Sequence, residues 1–552
     1  MTTSTAQQPE GSNRVADEIA AAMKSNGVPY IFGIPGGGSS IDLIEACNNQ
    51  EIPFVLTQHE TTAAMMAVVA GELTGTCGVC LSIMGPGATN AASGSIYAYL
   101  ERHPLLCVTE RYSPAQAAAT SMQKIDHPQF FAPVAKESVT LDANDPGLQT
   151  SNAIRRAMAE RPGTVHIDFP QNLDGTAPDS TSTPRGHKAE DAATSFEGDI
   201  DAIVAAINVA EKPLLIAGPV VVRQGAASNL VSLAEKLQAA VMATSKARGV
   251  IPENHPLYAG VMSGVYAANT LETRIVDRSD LVVAVGLDRV ELLSPWKHEQ
   301  KLITVDAIPV EPGETVGAPA HTATGNLPDL IRALTDGVLQ RNTWDAAEIA
   351  SFWNEAMHEL GASEAILNAT VALRAARRMA PDDAILTTEA GVYGRVNLYA
   401  WKVYDPITYY DSSGSNTMGF SIPAGLAASL VRPGQKTISL IGDAGMLMRL
   451  GDLEVATRLK LAPVIVVFDD TTLGMIRVKQ HSKGYAREGV DLAQTDFVRL
   501  AESFGGIGTK VHTTEEFEAA FANALDANQL HLIDVRLDPD TYAAHVKPIR
   551  GS

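Results

Sequence analysis

Cysteine is scarce in this sequence, four in 552 residues. So few supply no disulfide framework and suit a reducing compartment, so a cytoplasmic location is expected. Long hydrophobic runs are missing too: no uncharged apolar stretch reaches the roughly 18 residues needed to cross a bilayer, and no transmembrane helix is expected. Basic residues are few beside acidic ones, 42 Lys and Arg against 63 Asp and Glu, for a formal net charge of −21. Binding a phosphate backbone needs clustered positive charge, so this balance argues against nucleic acid as a partner and equally against anionic membrane surfaces. An anionic cofactor stays compatible, because backbone N–H groups or a metal neutralise charge locally. The opening MTTSTAQQPEGSNR lacks the charged-then-apolar order of a secretory signal, and residues 1–12 read as a short disordered tail.

What the sequence does contain is a large apolar fraction, 45%, on a chain too long for one core. Three blocks stand out. Residues 13–180 alternate helical stretches with the short apolar runs YIFGI, FVLT, GVCLSIM, LLCVTE and TVHIDFP. Such alternation marks βαβ units and a parallel sheet covered on both faces. DGTAPDSTSTPRGHKAED then reads as a linker. A second block over 195–340 has strands PLLIAG, AVMAT, DLVVAVG and KLITVD; a third over 362–545 has AILTTE, TISLIGD, APVIVVFDD and HLIDVRLD. The expected fold class is α/β, three doubly wound parallel-sheet domains. The CxxC of Cys77 and Cys80 lacks a second cysteine pair for zinc and reads as buried strand.

Two strands of the third block each end in aspartate, Asp443 and Asp470, 27 residues apart. Between them MLMRLGDLEVATRLK places Leu450, Leu453, Ala456 and Leu459 on one helical face, so strand, helix, strand predicts a right-handed crossover. Both carboxylates then emerge at the carboxyl ends of parallel strands, where open α/β sheets bind ligands. A helix start at that edge offers N–H groups to a phosphate, and two carboxylates beside it suggest a hard cation such as Mg²⁺. The plainer alternative is a helix cap at Asp443 and a turn at Asp469–Asp470.

Gly442-Asp443-Ala444, followed by Asp469-Asp470-Thr471-Thr472, resembles the metal and cofactor motif of the thiamine diphosphate (ThDP)-dependent enzymes, and is most similar to that of acetolactate synthases of the catabolic type. The resemblance implies that Mg²⁺ takes the carboxylates of Asp443 and Asp470 and the carbonyl of Thr472, and that Gly442, Ala444, Gly445 and Met475 line the cofactor site. Ala444 replaces the usual glycine, and its methyl would crowd the diphosphate unless the backbone there avoids positive φ. Elsewhere FVLTQHETTAAMMA carries Glu60 where the family places the glutamate that bonds N1′ of the aminopyrimidine and promotes loss of the C2 proton; the other reading is a charge at a helix start. IMGPGATNAASG resembles a loop over the cofactor at the dimer contact, and FGIPGGGSS, with Gly36, a loop near the thiazolium edge. SMQKIDHPQFFAPVAKES resembles the stretch in which Gln123 would bond oxygen atoms of the cofactor-bound substrate, with Asp126 and Lys136 at matching spacing. In SNTMGFSIPAGL, Met418 would support the bent cofactor; in TTEAGVYG, Gly391 fits the diphosphate position while Val392 and Tyr393 depart from the family's polar pair.

The resemblance covers residues 13–540 in the order pyrimidine-binding domain (13–180), central Rossmann-like domain (195–340) and diphosphate-binding domain (362–545). It implies decarboxylation of a 2-oxo acid such as pyruvate, then carboligation. A non-oxidative 2-oxo acid decarboxylase or acyloin lyase is the alternative, and a non-catalytic regulatory paralogue a third reading. The acceptor pocket falls on LGMIRVKQ, where Arg477 and Lys479 bring positive charge that the family pattern lacks. Either they face solvent or they favour an anionic second substrate. LLIAGPVVVRQGA is followed by no GxGxxG, so FAD is possible but not favoured. Active sites shared between chains make a homodimer or homotetramer the expected assembly.

Overall fold

The computed structural model describes residues 15–171, 173, 196–294, 296–309, 317–362 and 366–551; the expected tail and linker lie outside them. Contacts divide the chain into two compact units, Met1–Glu190 and Asp191–Ser552. Among the described residues there are three sheets.

The first unit holds β1 (Ile31–Gly33), β2 (Phe54–Leu56), β3 (Gly78–Ser82), β4 (Leu105–Arg111), β5 (Glu137–Thr140) and β6 (Thr164–Pro170), in spatial order β2-β1-β3-β4-β6-β5, all parallel. The central sheet comprises β7 (Glu197–Gly198), β8 (Pro213–Ala217), β9 (Ala240–Ala243), β10 (Tyr258–Val261), β11 (Leu281–Val285), β12 (Lys301–Asp306) and β13 (His321–Thr324). Its order is β10-β9-β8-β11-β12-β13-β7, with only β7 antiparallel. The third sheet comprises β14 (Ile385–Thr387), β15 (Tyr409–Tyr410), β16 (Thr437–Gly442), β17 (Val464–Asp469), β18 (Ile507–Val511) and β19 (His531–Arg536). Its order β15-β14-β16-β17-β19-β18 repeats that of the first sheet, and every pairing in it is parallel.

Helices cover these strands, so the central ones are buried on both faces and read as unbroken apolar runs; β3, β8, β11 and β17 are buried at every position. Strands absent from the sequence reading are the polar or very short ones. β5 (ESVT), β18 (IGTKV), β15, β10 and β7 stand at sheet edges, and β13 (HTAT) lies next to one. The four cysteines are free and buried, Cys77 and Cys80 on a covered strand segment as expected.

One expectation fails. The segment between Asp443 and Asp470 is not one helix but a short helix Asp443–Leu447, a 3-10 turn Leu450–Asp452 and a second short helix Leu453–Arg458. The break falls at Met448–Arg449, where Arg449 leaves helical geometry (φ −128°) and its Nε donates to the Gly419 carbonyl at 3.0 Å. Leu453, Val455 and Ala456 still face the core, whereas Leu450 and Leu459 are only half-buried.

The second unit carries two sheets but one principal core, in which Leu214, Ile216 and Val282 of the central sheet join Leu386, Leu440 and Val466 of the third. An ion pair is built into the junction. Arg248 donates to both Glu253 oxygens (2.7 and 2.8 Å) and to the Trp401 carbonyl, Tyr258 and the Val403 N–H also donate to Glu253, and the guanidinium lies 4.4 Å from the Tyr409 ring centre. Both charged side chains are buried. Glu253→Ala strands a buried guanidinium, so a loss of about 3–5 kcal/mol is expected in the urea unfolding of the second unit. A loss under about 1 kcal/mol would show that water reaches the pair.

Candidate functional site

The third sheet reverses its winding between β14 and β16, and the crevice beyond the carboxyl ends of the strands there is the ligand position of an open α/β sheet. A cavity of about 500 Å³ occupies it. Parallel register sets Gly442 beside Phe468, so Asp443 and Asp470 follow at the same edge. Both line the cavity. Asp443 Oδ2 accepts the Thr471 N–H at 2.7 Å and Oδ1 the Ala444 N–H at 2.7 Å. Asp470 Oδ1 accepts the Thr472 N–H at 2.9 Å, and the Tyr542 hydroxyl donates to Oδ2. Burial and the neighbouring Asp470 charge push Asp443 up to about 7, and burial raises Asp470 as well. Thr471 holds a left-handed conformation (φ 56°), and the turn after it is fixed by Leu473 N–H to Val490 O at 2.8 Å and Leu492 N–H to Thr471 O at 2.9 Å.

Of the residues expected here, Gly391, Met418, Gly442, Ala444, Gly445, Thr472, Met475 and Lys479 also line the cavity. Ala444 sits in a short helix and is not among the positive-φ residues, so its methyl is accommodated. Arg477 is not in the lining; its guanidinium pairs with Asp540.

Sequence reading missed Glu389. It follows β14 as Asp443 follows β16, so the strand-end logic that found the aspartates applied to it too. Its buried carboxyl lines the cavity and accepts the Ser421 N–H at 3.2 Å. Burial pushes it up to about 8 against that donor, the Gly419 N–H and the Arg449 charge. A Cβ on Gly445 would lie 1.9 Å from Glu389 Oε1, which is why that position is glycine. Tyr393, read as a departure, puts its hydroxyl 2.8 Å from the Gly442 N–H, as acceptor. Arg395 and Arg550 are further lining residues that the sequence did not single out.

In the first unit, Glu60 opens the helix Glu60–Thr74 directly after β2 and is buried. Asn90 Nδ2 donates to its Oε2 at 3.0 Å, and the bare backbone of Gly87 lies against Oε1, 3.0 Å from where a Cβ would be. The loops with Gly36 (after β1) and Gly85 (after β3) flank the point where this sheet reverses its winding. A Cβ on Gly36 would lie 2.4 Å from Glu110 Oε2, and one on Gly85 2.4 Å from the Gln123 carbonyl. Gln123 is half-buried at φ 57°. His127 fastens this loop pair: Nε2 accepts the Gly85 N–H at 3.1 Å while Nδ1 bonds Asp168 at 2.6 Å. With His166 these form the one buried cluster of metal-ligand types among the described residues. Thr109 and Ser138 complete its hydrogen bonds, so it reads as a satisfied polar network.

Neither aspartate of the cavity has a cationic side chain within salt-bridge distance among the described residues. Two buried carboxylates at one strand edge therefore call for a cation, and oxygen donors suit a hard one. Among the described residues the Thr472 carbonyl accepts only the Gly474 N–H, at 3.0 Å, keeping a lone pair for such an ion. Beside them Gly391 and Gly445 keep side chains off the cavity wall. The residues fit a divalent cation that carries a diphosphate.

Comparison with known proteins gives three consecutive matches. The N-terminal thiamine pyrophosphate (TPP) binding domain of thiamine pyrophosphate enzymes matches residues 13–130, their central domain 200–334, and their C-terminal TPP binding domain 389–535. Similar proteins include a "Probable acetolactate synthase large subunit" of Methanocaldococcus jannaschii, 29% identical over 97% of this chain and 93% of the relative. An "Acetolactate synthase" of Bacillus subtilis is 28% identical over 95% and 93% of the two chains. An "Acetolactate synthase, catabolic" of Raoultella terrigena is 28% identical over 95% of each.

Glu389 yields a test on metal-free protein. Its folded-state value of about 8 stands above the ordinary 4.5. The folded chain therefore keeps a proton that the unfolded chain releases, and that stabilisation is complete below pH 4.5 and lost as pH rises through 8. Glu389→Gln removes this contribution, so its thermal midpoint will fall less between pH 5 and 8 than that of the native protein. Parallel slopes would mean that Glu389 folds already ionised.

Proposed function

The chain belongs to the thiamine pyrophosphate enzymes, and on that premise we propose that it is a ThDP- and Mg²⁺-dependent carboligase of the acetolactate synthase type. It decarboxylates a 2-oxo acid such as pyruvate and joins the remaining fragment to a second carbonyl. The observation that carries the metal is the Asp443–Asp470 pair: both are raised by burial, Asp443 also by the Asp470 charge, and among the described residues neither makes a salt bridge. Asp443, Asp470 and the Thr472 carbonyl would hold the ion. Gly391 and Gly445 would give the diphosphate backbone contact, Gly442 would line it with its N–H held by the Tyr393 hydroxyl, and Met418 would give an apolar support. When bound, the cofactor supplies a nucleophilic carbon and accepts the electron pair left as CO₂ departs.

Glu60 would hold a proton at the pyrimidine nitrogen of the bound cofactor. Asn90 fixes its Oε2, leaving Oε1 for that exchange beside the bare backbone of Gly87. Gln123 donates to oxygen on the reacting acid. A decarboxylase or lyase outcome has no observation in its favour, and the presence of Glu60, Asp443 and Asp470 together speaks against a non-catalytic paralogue. We propose further that the central domain works without flavin. At its winding reversal the loops after β8 and β11 meet backbone to backbone, and a Cβ on Gly218 would lie 2.1 Å from the Gly286 carbonyl. The proposed setting is cytoplasmic; among the described residues no helix is long and apolar enough to cross a membrane. The proposed assembly is a homodimer or homotetramer in which Glu60 of one chain serves the aspartate pair of another.

Proton NMR of the protein with ThDP, Mg²⁺ and pyruvate should show acetolactate; acetaldehyde alone would replace the ligase assignment with a decarboxylase. Glu60→Gln should lower the rate by about 10²–10⁴-fold. Mixed and reassociated in equal amounts, Glu60→Gln and Asp443→Asn chains should recover about a quarter of native activity, since half of the dimers then hold one intact site. No recovery would place each site within one chain. The purified protein should lack flavin absorbance near 450 nm.

A further inference from the structure

The cavity has a second like-charge group. Opposed to Asp443 and Asp470 in sign, Arg395, Lys479 and Arg550 all line it. Among the described residues none of the three makes a salt bridge, in a protein with a net charge of −21 where acidic partners abound. Arg395 Nη2 donates to Asn416 Oδ1 at 2.6 Å, a neutral acceptor, and Arg550 Nε is buried with no hydrogen-bond partner. Asp411 and Glu272 act on the two arginines only from beyond pairing distance, and Glu272 already accepts the N–H groups of Ser263, Gly264 and Val265. Burial together with the Arg395 charge brings Arg550 down to about 10. The arginine pair thus mirrors the aspartate pair: one end of the cavity wants a cation and the other an anion.

The two groups stand at different levels of their helices. The helix Tyr542–Arg550 carries Tyr542, which bonds Asp470, at its start and Arg550 at its end. Eight steps along a helix are about 12 Å. Arg395 likewise lies a turn beyond Gly391 on the helix Val392–Ala400. By backbone position, an anion at Arg395 and Arg550 stands apart from a diphosphate at the aspartates. Nor is it the carboxylate that leaves as CO₂, because a fixed ion pair there would stabilise the acid before reaction more than the state in which its charge is being lost. It is a carboxylate that survives the reaction; the single carboxylate of a monocarboxylic donor is lost as CO₂ and leaves these cations unanswered.

We propose that this site takes a 2-oxo dicarboxylic acid, whose remote carboxylate is received by Arg395 and Arg550 with Lys479 at the rim. The inference rests on the reading of the site given above and names its substrate class.

The test uses full-length protein loaded with ThDP and Mg²⁺, and two unreactive probes of nearly equal shape, 2-hydroxyglutarate and 2-hydroxy-5-methylhexanoate. Calorimetry should give at least about tenfold tighter binding of the diacid, with the ratio falling toward one in Arg550→Gln and partly in Lys479→Gln. Lys479 is exposed, so its replacement leaves folding intact even if Arg550→Gln does not. Equal binding of the probes, or tighter binding of the branched one, overturns the proposal. So does a ratio unchanged in both variants while their ThDP affinity drops, which would assign the cations to the diphosphate. Turnover of pyruvate and of 2-oxoglutarate by the native protein is measured separately: diacid selectivity with CO₂ released from neither acid would sink the reaction assignment and leave the anion site standing, whereas turnover with equal probe binding would sink this site alone.

Discussion

Two carboxylates held at one strand edge repel each other, and much of the third domain can be understood from how that repulsion is managed. The parallel register of β16 and β17 brings Asp443 and Asp470 to the same level. Backbone N–H groups of Ala444, Thr471 and Thr472 and the Tyr542 hydroxyl meet their oxygens, which offsets part of the cost of burial but none of the shared charge. What stays unbalanced is negative charge at the strand edge, the feature on which the proposed metal rests. The left-handed turn at Thr471 and its bonds to Val490 and Leu492 keep the donors from spreading apart when no ion holds them.

The first and third sheets share one strand order, yet their carboxyl edges carry different chemistry. The first presents two buried glutamates, Glu60 held by an amide and Glu110 held by the Gly38 and Ser40 N–H groups; the third presents Asp443, Asp470 and Glu389. Glycine marks the same constraint in both. Gly36 and Gly445 each lie where a side chain would strike a buried carboxylate, Glu110 in one sheet and Glu389 in the other. At these positions glycine is there for the space it leaves, since neither is among the positive-φ residues.

Central strands were legible because burial on both faces writes an unbroken apolar run, as in VIVVFD. Edge strands were not, since ESVT and IGTKV carry polar side chains to water and read as loop. Local pattern also misled at Met446–Lys460. The apolar spacing there is real, but the Arg449 side chain is drawn to the Gly419 carbonyl, and that tertiary bond breaks the helix. Asp443, Asp470 and Glu60 were visible because strand ends and motif order fix them. Tyr542, Arg550 and Asn90 were not, because each reaches its place through contacts distant in sequence: Tyr542 lies 72 residues from Asp470. Arg477 and Lys479 looked equivalent, and only the position of Asp540 separates them.

The bond from Tyr542 to Asp470, and the place of Arg550 in the cavity wall, have a consequence for how the protein is made. Asp443 and Asp470 leave the ribosome well before residues 542–550 do, and at ordinary rates of synthesis this interval lasts several seconds. During it the nascent chain has two acids without their phenolic partner and a cavity without one wall. The strand-end half of the pocket is thus complete in sequence some seconds before the wall that residues 542–550 supply.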